Sequence, residues 1–265
     1  MGKVREAIAA RMPRILTIDL ERVPGEFKRH IWHPRDLQRL NWLHPDQWSS
    51  LPRIVCAGAK WWGSDRMLFA ATWQNRDDPL HVVRKCHEWI SAADILITYN
   101  GRKADEKWLR SEWVVGGFAP PKPYKSVDLY AVARQQFDFE SRSLDHLCQR
   151  LGIESKAGHY NADEAIAADR GSRSAQRSLR DYNLQDVRVT EAAADRLGPW
   201  ITSWPHVGVI TGVERCCWRC GSEDLTQDGY TAAVTTLYAL LRCEGCGAWN
   251  RLNHRKGTVS TRRAI

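Results

Sequence analysis

The fold class predicted by this chain is a mixed α/β sheet covered by helices, followed by a small β-rich unit. Three observations carry it. Short apolar runs of strand type alternate with helical spacings through the first 200 residues. Five of the eight cysteines crowd into residues 216–246. The 265 residues are 43% apolar and 26% charged, which is enough core material for one large domain plus an appendage. Disorder as the main state is excluded on that ground.

Arg14-Ile15-Leu16-Thr17-Ile18-Asp19-Leu20 reads as a buried strand. Ile54 to Trp62 and Met67 to Trp73 read as two more, joined by a turn at Gly63-Ser64-Asp65. Leu80, Val83, Cys86 or His87, and Ile90 fall at helical spacing within residues 79–93. Ile95 to Tyr99 is a short apolar strand. Asp105 to Val115 reads as a helix, stopped by Gly116-Gly117 and the Pro pair beyond. Lys125 to Leu129 suits another strand, and residues 131–197 are mostly helical. The segment from His30 to Trp48 interrupts this pattern and carries Trp32, Trp42 and Trp48. It reads as a loop packed by its tryptophans, with base-stacking platforms as the alternative.

Leu197-Gly198-Pro199 ends the long helical pattern, and Trp200 to Gly212 reads as a connector. The chain therefore divides near residue 205. The expected units are a main domain over 13–200, a cysteine-rich unit over 205–252 and a basic tail over 253–265.

Lys and Arg number 39 against 31 Asp and Glu, a net charge of +8. That surplus points to an anionic partner. Residues 251–265 hold Arg251, Arg255, Lys256, Arg262 and Arg263 with no acid, a composition that contacts phosphates without sequence preference. No run approaches the ~18 apolar residues of a membrane span. The start, MGKVREAIAARMPR, shows no apolar signal core and has Glu6 where a myristoylation motif takes a hydroxyl residue. The expected location is cytoplasmic (host cytoplasm for a viral chain), where cysteines serve as thiols or metal ligands.

Asp19 and Glu21 lie two apart on the first strand, so both carboxylates project from one face. Asp105 opens the helix after Tyr99-Asn100-Gly101-Arg102-Lys103-Ala104, and a helix-start aspartate also has a capping role. Tyr182 and Asp186 are four apart on a helical face shared with Leu179, Val189 and Ala193, an inward face where an acid needs a partner or a metal. Asp128, after another strand, reads as structural. Gathered acids repel, by about 4 kcal/mol per close pair at an effective dielectric of ~20, so such a cluster calls for divalent cations. Oxygen ligands select Mg²⁺ or Mn²⁺, and two such ions together activate a water and stabilise a leaving oxygen at one phosphorus.

The order strand-Asp-x-Glu, then Asn-Gly-x-x-x-Asp after a strand, then Tyr-x-x-x-Asp on a late helix resembles the DEDD-type 3′–5′ exonucleases, tyrosine subtype, of the ribonuclease-H-like superfamily. The resemblance covers residues 13–198 and includes Ser143-Leu144-Asp145-His146-Leu147 followed by Leu151-Gly152-Ile153. It implies a ribonuclease-H-like sheet and a metal-dependent 3′–5′ exonuclease. In such an enzyme Asp19, Glu21, Asp105 and Asp186 hold two Mg²⁺ or Mn²⁺ and Tyr182 orients the attacking water. Asn100 approaches the substrate backbone at a DNA or RNA 3′ end. Two residues depart from the family pattern: Arg22 replaces a small hydroxyl residue and Ala104 a large aromatic. His159 and Asp163 form a competing third motif with spacing one residue short of the histidine subtype. An endonuclease or RNA-processing nuclease of the same fold is the nearest alternative activity. A non-catalytic nucleic-acid-binding adaptor is the alternative from another class, with the full set of acids against it.

Cys217-x-x-Cys220-Gly and Cys243-x-x-Cys246-Gly, separated by a β-rich stretch over Tyr230–Leu241, carry the second set of ligands. Each glycine permits the tight turn that lets two thiolates face one ion, and tetrahedral Zn–S₄ is the expected species. Cys216 is the alternative to Cys217, and the x₂ spacing selects Cys217. A redox dithiol is the competing chemistry. The pattern resembles a zinc ribbon with one structural Zn²⁺. Its expected role is nucleic-acid contact, with a stabilising appendage or a protein-docking module as alternatives.

Overall fold

The computed structural model describes residues 12–28, 30, 43–154, 160–233 and 236–258. Its centre is β1 (Ile15–Val23), the strand carrying Asp19 and Glu21. Alternation along β1 divides two cores. Leu16, Ile18 and Leu20 pack into one hydrophobic cluster, and Ile15 belongs to the other. Asp19 and Glu21 are in phase with Ile15 and the buried Thr17.

After β1, a two-stranded ribbon forms from β2 (Glu26–Phe27) and β3 (Trp48–Ser50). The sequence pattern did not indicate it. Trp48 meets the ring of Phe27 edge-on at 6.0 Å, so this tryptophan packs. Trp32 and Trp42 lie outside the described residues. β4 (Arg53–Trp61) and β5 (Met67–Ala71) follow as an antiparallel hairpin. Helix α1 (His81–Ser91) leads to β6 (Ile95–Thr98). Helix α2 (Asp105–Val115) leads to β7 (Lys125–Asp128). The sheet order is β5-β4-β1-β6-β7, with β6 and β7 parallel to β1 and β4 antiparallel to it. β4 pairs antiparallel with β1 across the inserted ribbon and with β5 in a hairpin, while two helix-linked crossovers bring in β6 and β7, because parallel neighbours need a covering connection.

The helices occupy both faces. Val82, Val83, Cys86 and Ile90 of α1 and Leu109 and Trp113 of α2 cover the Leu16 face. Helices α3 (Leu129–Gln136), α4 (Leu144–Leu151), α5 (Ala162–Asp169) and α6 (Arg173–Leu197) follow on the other. The 25-residue α6 lies over β1 and β4 and delivers Asp186 to the face that carries Asp19.

The stretch after α6 is more than a connector. Ile201, Trp204 and Val207 are buried, and α7 (Val207–Thr211) is a short helix closed by left-handed Gly212. Its apolar residues dock on the main domain, joining the core cluster of Ile15 and Leu197. Beyond it, β8 (Leu225–Ala232), β9 (Thr236–Cys243) and β10 (Trp249–Thr258) form a three-stranded antiparallel sheet in the order β10-β9-β8. Among the described residues no helix is long and apolar enough to cross a membrane.

Candidate active site and cysteine centre

Asp19, Glu21 and Asp186 converge. Each offers a carboxylate oxygen within 4.8 Å of the others. Glu21 and Asp186 are buried and Asp19 is half-buried. Three carboxylates at that separation repel by about 3–4 kcal/mol per pair at an effective dielectric of ~20, so the site requires positive charge. Its donor set is all oxygen, which fits Mg²⁺ or Mn²⁺ and disfavours softer ions.

Asn183, in the turn of α6 before Asp186, holds this arrangement. Its Nδ2 donates to the Asp19 carbonyl at 3.1 Å and to Asp19 Oδ2 at 2.8 Å. Gly58, the β4 residue paired with Asp19, makes room for it: a Cβ there would lie 2.4 Å from Asn183 Oδ1. Sequence reasoning missed both residues. The available signal was a polar side chain beside Asp186 on the inward face of α6. Tyr182, half-buried, sits one turn before Asp186 on the same helix.

Asp105 is buried at the first turn of α2 but falls outside the group of three. Burial, then the charges of Asp128 and Glu106, push its carboxyl up to about 7. The turn before it is tightly specified. Asn100 takes a left-handed φ of 64°, and a Cβ on Gly101 would come within 2.5 Å of Thr98. Asp128 shapes this turn from the next strand. Its carboxylate accepts the backbone N–H of Asn100 at 2.8 Å and of Arg102 at 3.2 Å, and it caps α3 through Tyr130 and Ala131. The competing Asp163 lies exposed on α5 and does not join the group of three acids, and His159 is outside the described residues.

The β1–β4 register shifts between Glu21 and Arg22, where Val55 of β4 is the extra residue. Arg22 then lays its guanidinium over the Trp108 ring of α2, 4.3 Å from the centroid. The two, with Glu21, Pro24, Pro52 and Tyr160, line a cavity of about 350 Å³ beside the acid group. The Tyr160 hydroxyl donates to the Arg22 carbonyl and closes one wall. The Arg22 departure from the family pattern therefore shapes this cavity.

The second centre gathers the sulfurs of Cys217, Cys220, Cys243 and Cys246, all within 4.8 Å of one another. Cys217 and Cys246 are 3.6 Å apart, as are Cys220 and Cys243. Tetrahedral coordination at a Zn–S distance of ~2.3 Å places sulfurs ~3.8 Å apart, so the cage fits zinc. Each knuckle closes through left-handed glycine: Gly221 N–H donates to Cys217 O, and Gly247 N–H to Cys243 O. Burial pushes the Cys220 thiol up to about 11 and raises Cys246 further. At Cys217 burial is outweighed by backbone N–H groups of Cys220 and Arg219, which lower its pKa. Cys216 lies outside the group, its thiol on the Val213 carbonyl.

Arg219, between the first two cysteines, anchors this centre to the main domain. It is buried, with its guanidinium 4.3 Å from the Trp62 centroid and 4.5 Å from that of Trp204. It donates to Ala194 O and Asp195 Oδ1 at the end of α6.

A helix-flanked mixed sheet of order β5-β4-β1-β6-β7, with acids gathered from its central strand and last long helix, defines a ribonuclease-H-like α/β protein. The RNase_H superfamily model matches residues 53–197, more than half of the chain, and the chain belongs to that superfamily. Among solved structures it is similar to the family B DNA polymerase from the hyperthermophilic archaeon Pyrobaculum calidifontis. That match has a TM-score of 0.52 and 18% identity, and covers 72% of this chain and 25% of the polymerase. The chain thus spans about a quarter of that protein's length, and the likeness shows the fold. Comparison with curated protein sequences gave no match.

Proposed function

We propose that the chain is a metal-dependent 3′–5′ exonuclease of the DEDD tyrosine subtype, acting on DNA or RNA and releasing nucleoside monophosphates. The observation that carries this reading is the convergence of Asp19, Glu21 and Asp186 from two separate sequence motifs onto one point of a superfamily fold. Two Mg²⁺ or Mn²⁺ would be held by Asp19, Glu21 and Asp186, with Asp105 as the fourth acid. Ions held there would activate a water and offset charge at the scissile phosphate. Tyr182 orients the attacking water from one turn above Asp186. Asn100, held in its sharp turn by Asp128, presents its side chain to the substrate backbone. Asn183 keeps the Asp19 carboxylate in place. The nuclease unit spans 13–200, a zinc ribbon with one structural Zn²⁺ spans 205–252, and a basic tail over 253–265, whose first residues continue β10, adds phosphate contact. The ribbon is also the surface open to a protein partner. The tail's last residues, 259–265, lie outside the described residues.

The test uses 3′- and 5′-labelled DNA and RNA, single- and double-stranded, with Mg²⁺ or Mn²⁺. The expected result is stepwise shortening from the 3′ end, abolished by Asp19→Ala. Internal cuts would point to the endonuclease reading. Binding without metal-dependent cleavage would point to the adaptor. Cleavage that survives Asp19→Ala would overturn the mechanism.

A further inference from the structure

We infer that the exposed face of the C-terminal sheet, built on Trp249, Arg251, Arg242 and Tyr238, is a platform for single-stranded nucleic acid. The inference rests on the reading of the chain as acting on nucleic acid, and it concerns a surface separate from the acid group.

Trp249 pairs with Arg242, and Arg251 pairs with Leu240, so directly opposed side chains share one face of β9 and β10. Tyr238, two residues from Leu240, is on that face as well. The intervening residues Leu241 and Asn250 are buried on the other. Asn250 is tied to the cysteine centre, donating to Cys217 Sγ at 3.7 Å and accepting from Trp218 N–H at 3.0 Å. This lock turns one side of β10 to the cysteines, and alternation turns Trp249 and Arg251 outward. The cysteine cage thereby sets which side chains the sheet presents.

The outward set has the chemistry of a single-strand binder. Trp249 is 50% exposed, an uncommon state for so large an apolar ring outside a contact surface. Its rim is positive: Arg242 and Arg251 are both exposed. Arg251 already rests on the Tyr238 ring at 4.4 Å from the centroid, which presents its plane for stacking. Trp249 is held in register by the Trp218 indole, which donates to the Trp249 carbonyl at 2.7 Å. Trp249 and Arg251 also border an open groove of about 910 Å³, which Leu225 and Leu241 line from the sheet's other face and His206 and Arg215 from beyond the sheet, with Glu214 its single acid. A duplex buries its base faces and cannot use exposed rings, whereas unpaired bases can stack on them while phosphates meet the arginines. Charge complementarity therefore selects a single strand over an apolar protein segment.

The experiment uses the full chain carrying Asp19→Asn, so that binding is scored without cleavage and survives failure of the nuclease reading. A fluorescein-labelled 20-nucleotide single strand and its duplex are titrated by anisotropy at several salt concentrations. We expect tighter binding of the single strand. Trp249→Ala should weaken it by about 5–150-fold, the range of one base–aromatic stack. Trp249→Phe should recover most of that loss. Arg251→Ala should weaken binding and reduce the salt slope by about one. Zinc content per chain, measured for each variant, shows that the sheet still forms. Arg66→Ala, on the exposed β4–β5 turn, should leave affinity as it was. Unchanged affinity in zinc-loaded Trp249→Ala and Arg251→Ala would overturn the inference. So would an equal loss from Arg66→Ala, which would mean diffuse attraction without a platform.

Discussion

Asn183 grips Asp19 twice, by its backbone carbonyl at 3.1 Å and by its carboxylate at 2.8 Å. The grip crosses from α6 to β1 and passes over Gly58, where any side chain would collide with the amide. Such an orienting contact typically affects metal affinity by 10–100-fold. Asn183→Ala should therefore weaken Mn²⁺ binding within that range, read by titration calorimetry, and slow cleavage. Gly58→Ala should reproduce the defect with Asn183 still present. Wild-type Mn²⁺ affinity in both variants would show that Asp19 needs no second residue.

Asp105 links stability to pH. In the metal-free chain its folded pKa is raised to about 7, against an ordinary aspartate value of 3.8. Between those values the unfolded chain binds fewer protons than the folded one, so stability falls as pH rises from about 4 to 7. Asp105→Asn removes the buried charge. We expect it to raise the metal-free melting temperature at pH 8 by several degrees, to make little difference near pH 4, and to abolish cleavage with Mg²⁺. Melting curves across that pH range check the sign. A lower melting temperature at pH 8 would contradict it.

The cysteine cage should bind one zinc per chain, and zinc-thiolate binding in small units contributes about 10–16 kcal/mol to folding. Removing zinc with a strong chelator should expose β8–β10 to rapid amide exchange while β1, β4 and β6 stay protected. Cys220→Ser or Cys246→Ser should do the same without chelator. Slow exchange throughout after complete zinc loss would show that the unit folds on its own packing.

Arg22 stacks on Trp108 at the wall of the cavity beside Glu21. A guanidinium there attracts phosphate, and a hydrogen bond to a charged group contributes about 1.5–3 kcal/mol. Arg22→Thr should raise KM by about 10-fold or more with kcat within a few-fold of the wild type. Arg22→Lys should not rescue it, because an ammonium lacks the flat face that lies on the indole. Steady-state kinetics at low and high salt distinguish the outcomes, and an unchanged KM would assign Arg22 to packing.

The legible part of this molecule was local. The apolar run of β1 and the two-residue offset of Asp19 and Glu21 follow from strand periodicity, and the Asp105–Val115 helix from its stop signals. The grouping of Asp186 with the first two acids was also readable, through motif order. What one chain of letters hides is distance. Nothing near residue 58 says that its glycine must clear the way for an asparagine 125 positions on. Asp128 read as a strand-end acid, yet it serves two elements at once, capping α3 and fastening the Asn100 turn. The thirteen tryptophans were likewise unassigned by composition. Contacts give several of them work: Trp108 under Arg22, Trp62 and Trp204 about Arg219, and Trp113 donating to the Val83 carbonyl.

Arg219 has a consequence for dissecting the chain. It belongs to the first cysteine knuckle by sequence, but its guanidinium is a cork seated among the aromatic rings at the foot of α6. A protein shortened at residue 205 would keep the bottle and lose the cork. Trp62 and Trp204 would face solvent, and the last turn of the helix bearing Tyr182 and Asp186 would lose its brace. Weak activity in that truncation would report a wound in the nuclease unit as readily as a missing ribbon. Single substitutions on the outer face of β10, which leave Arg219 seated, separate the two.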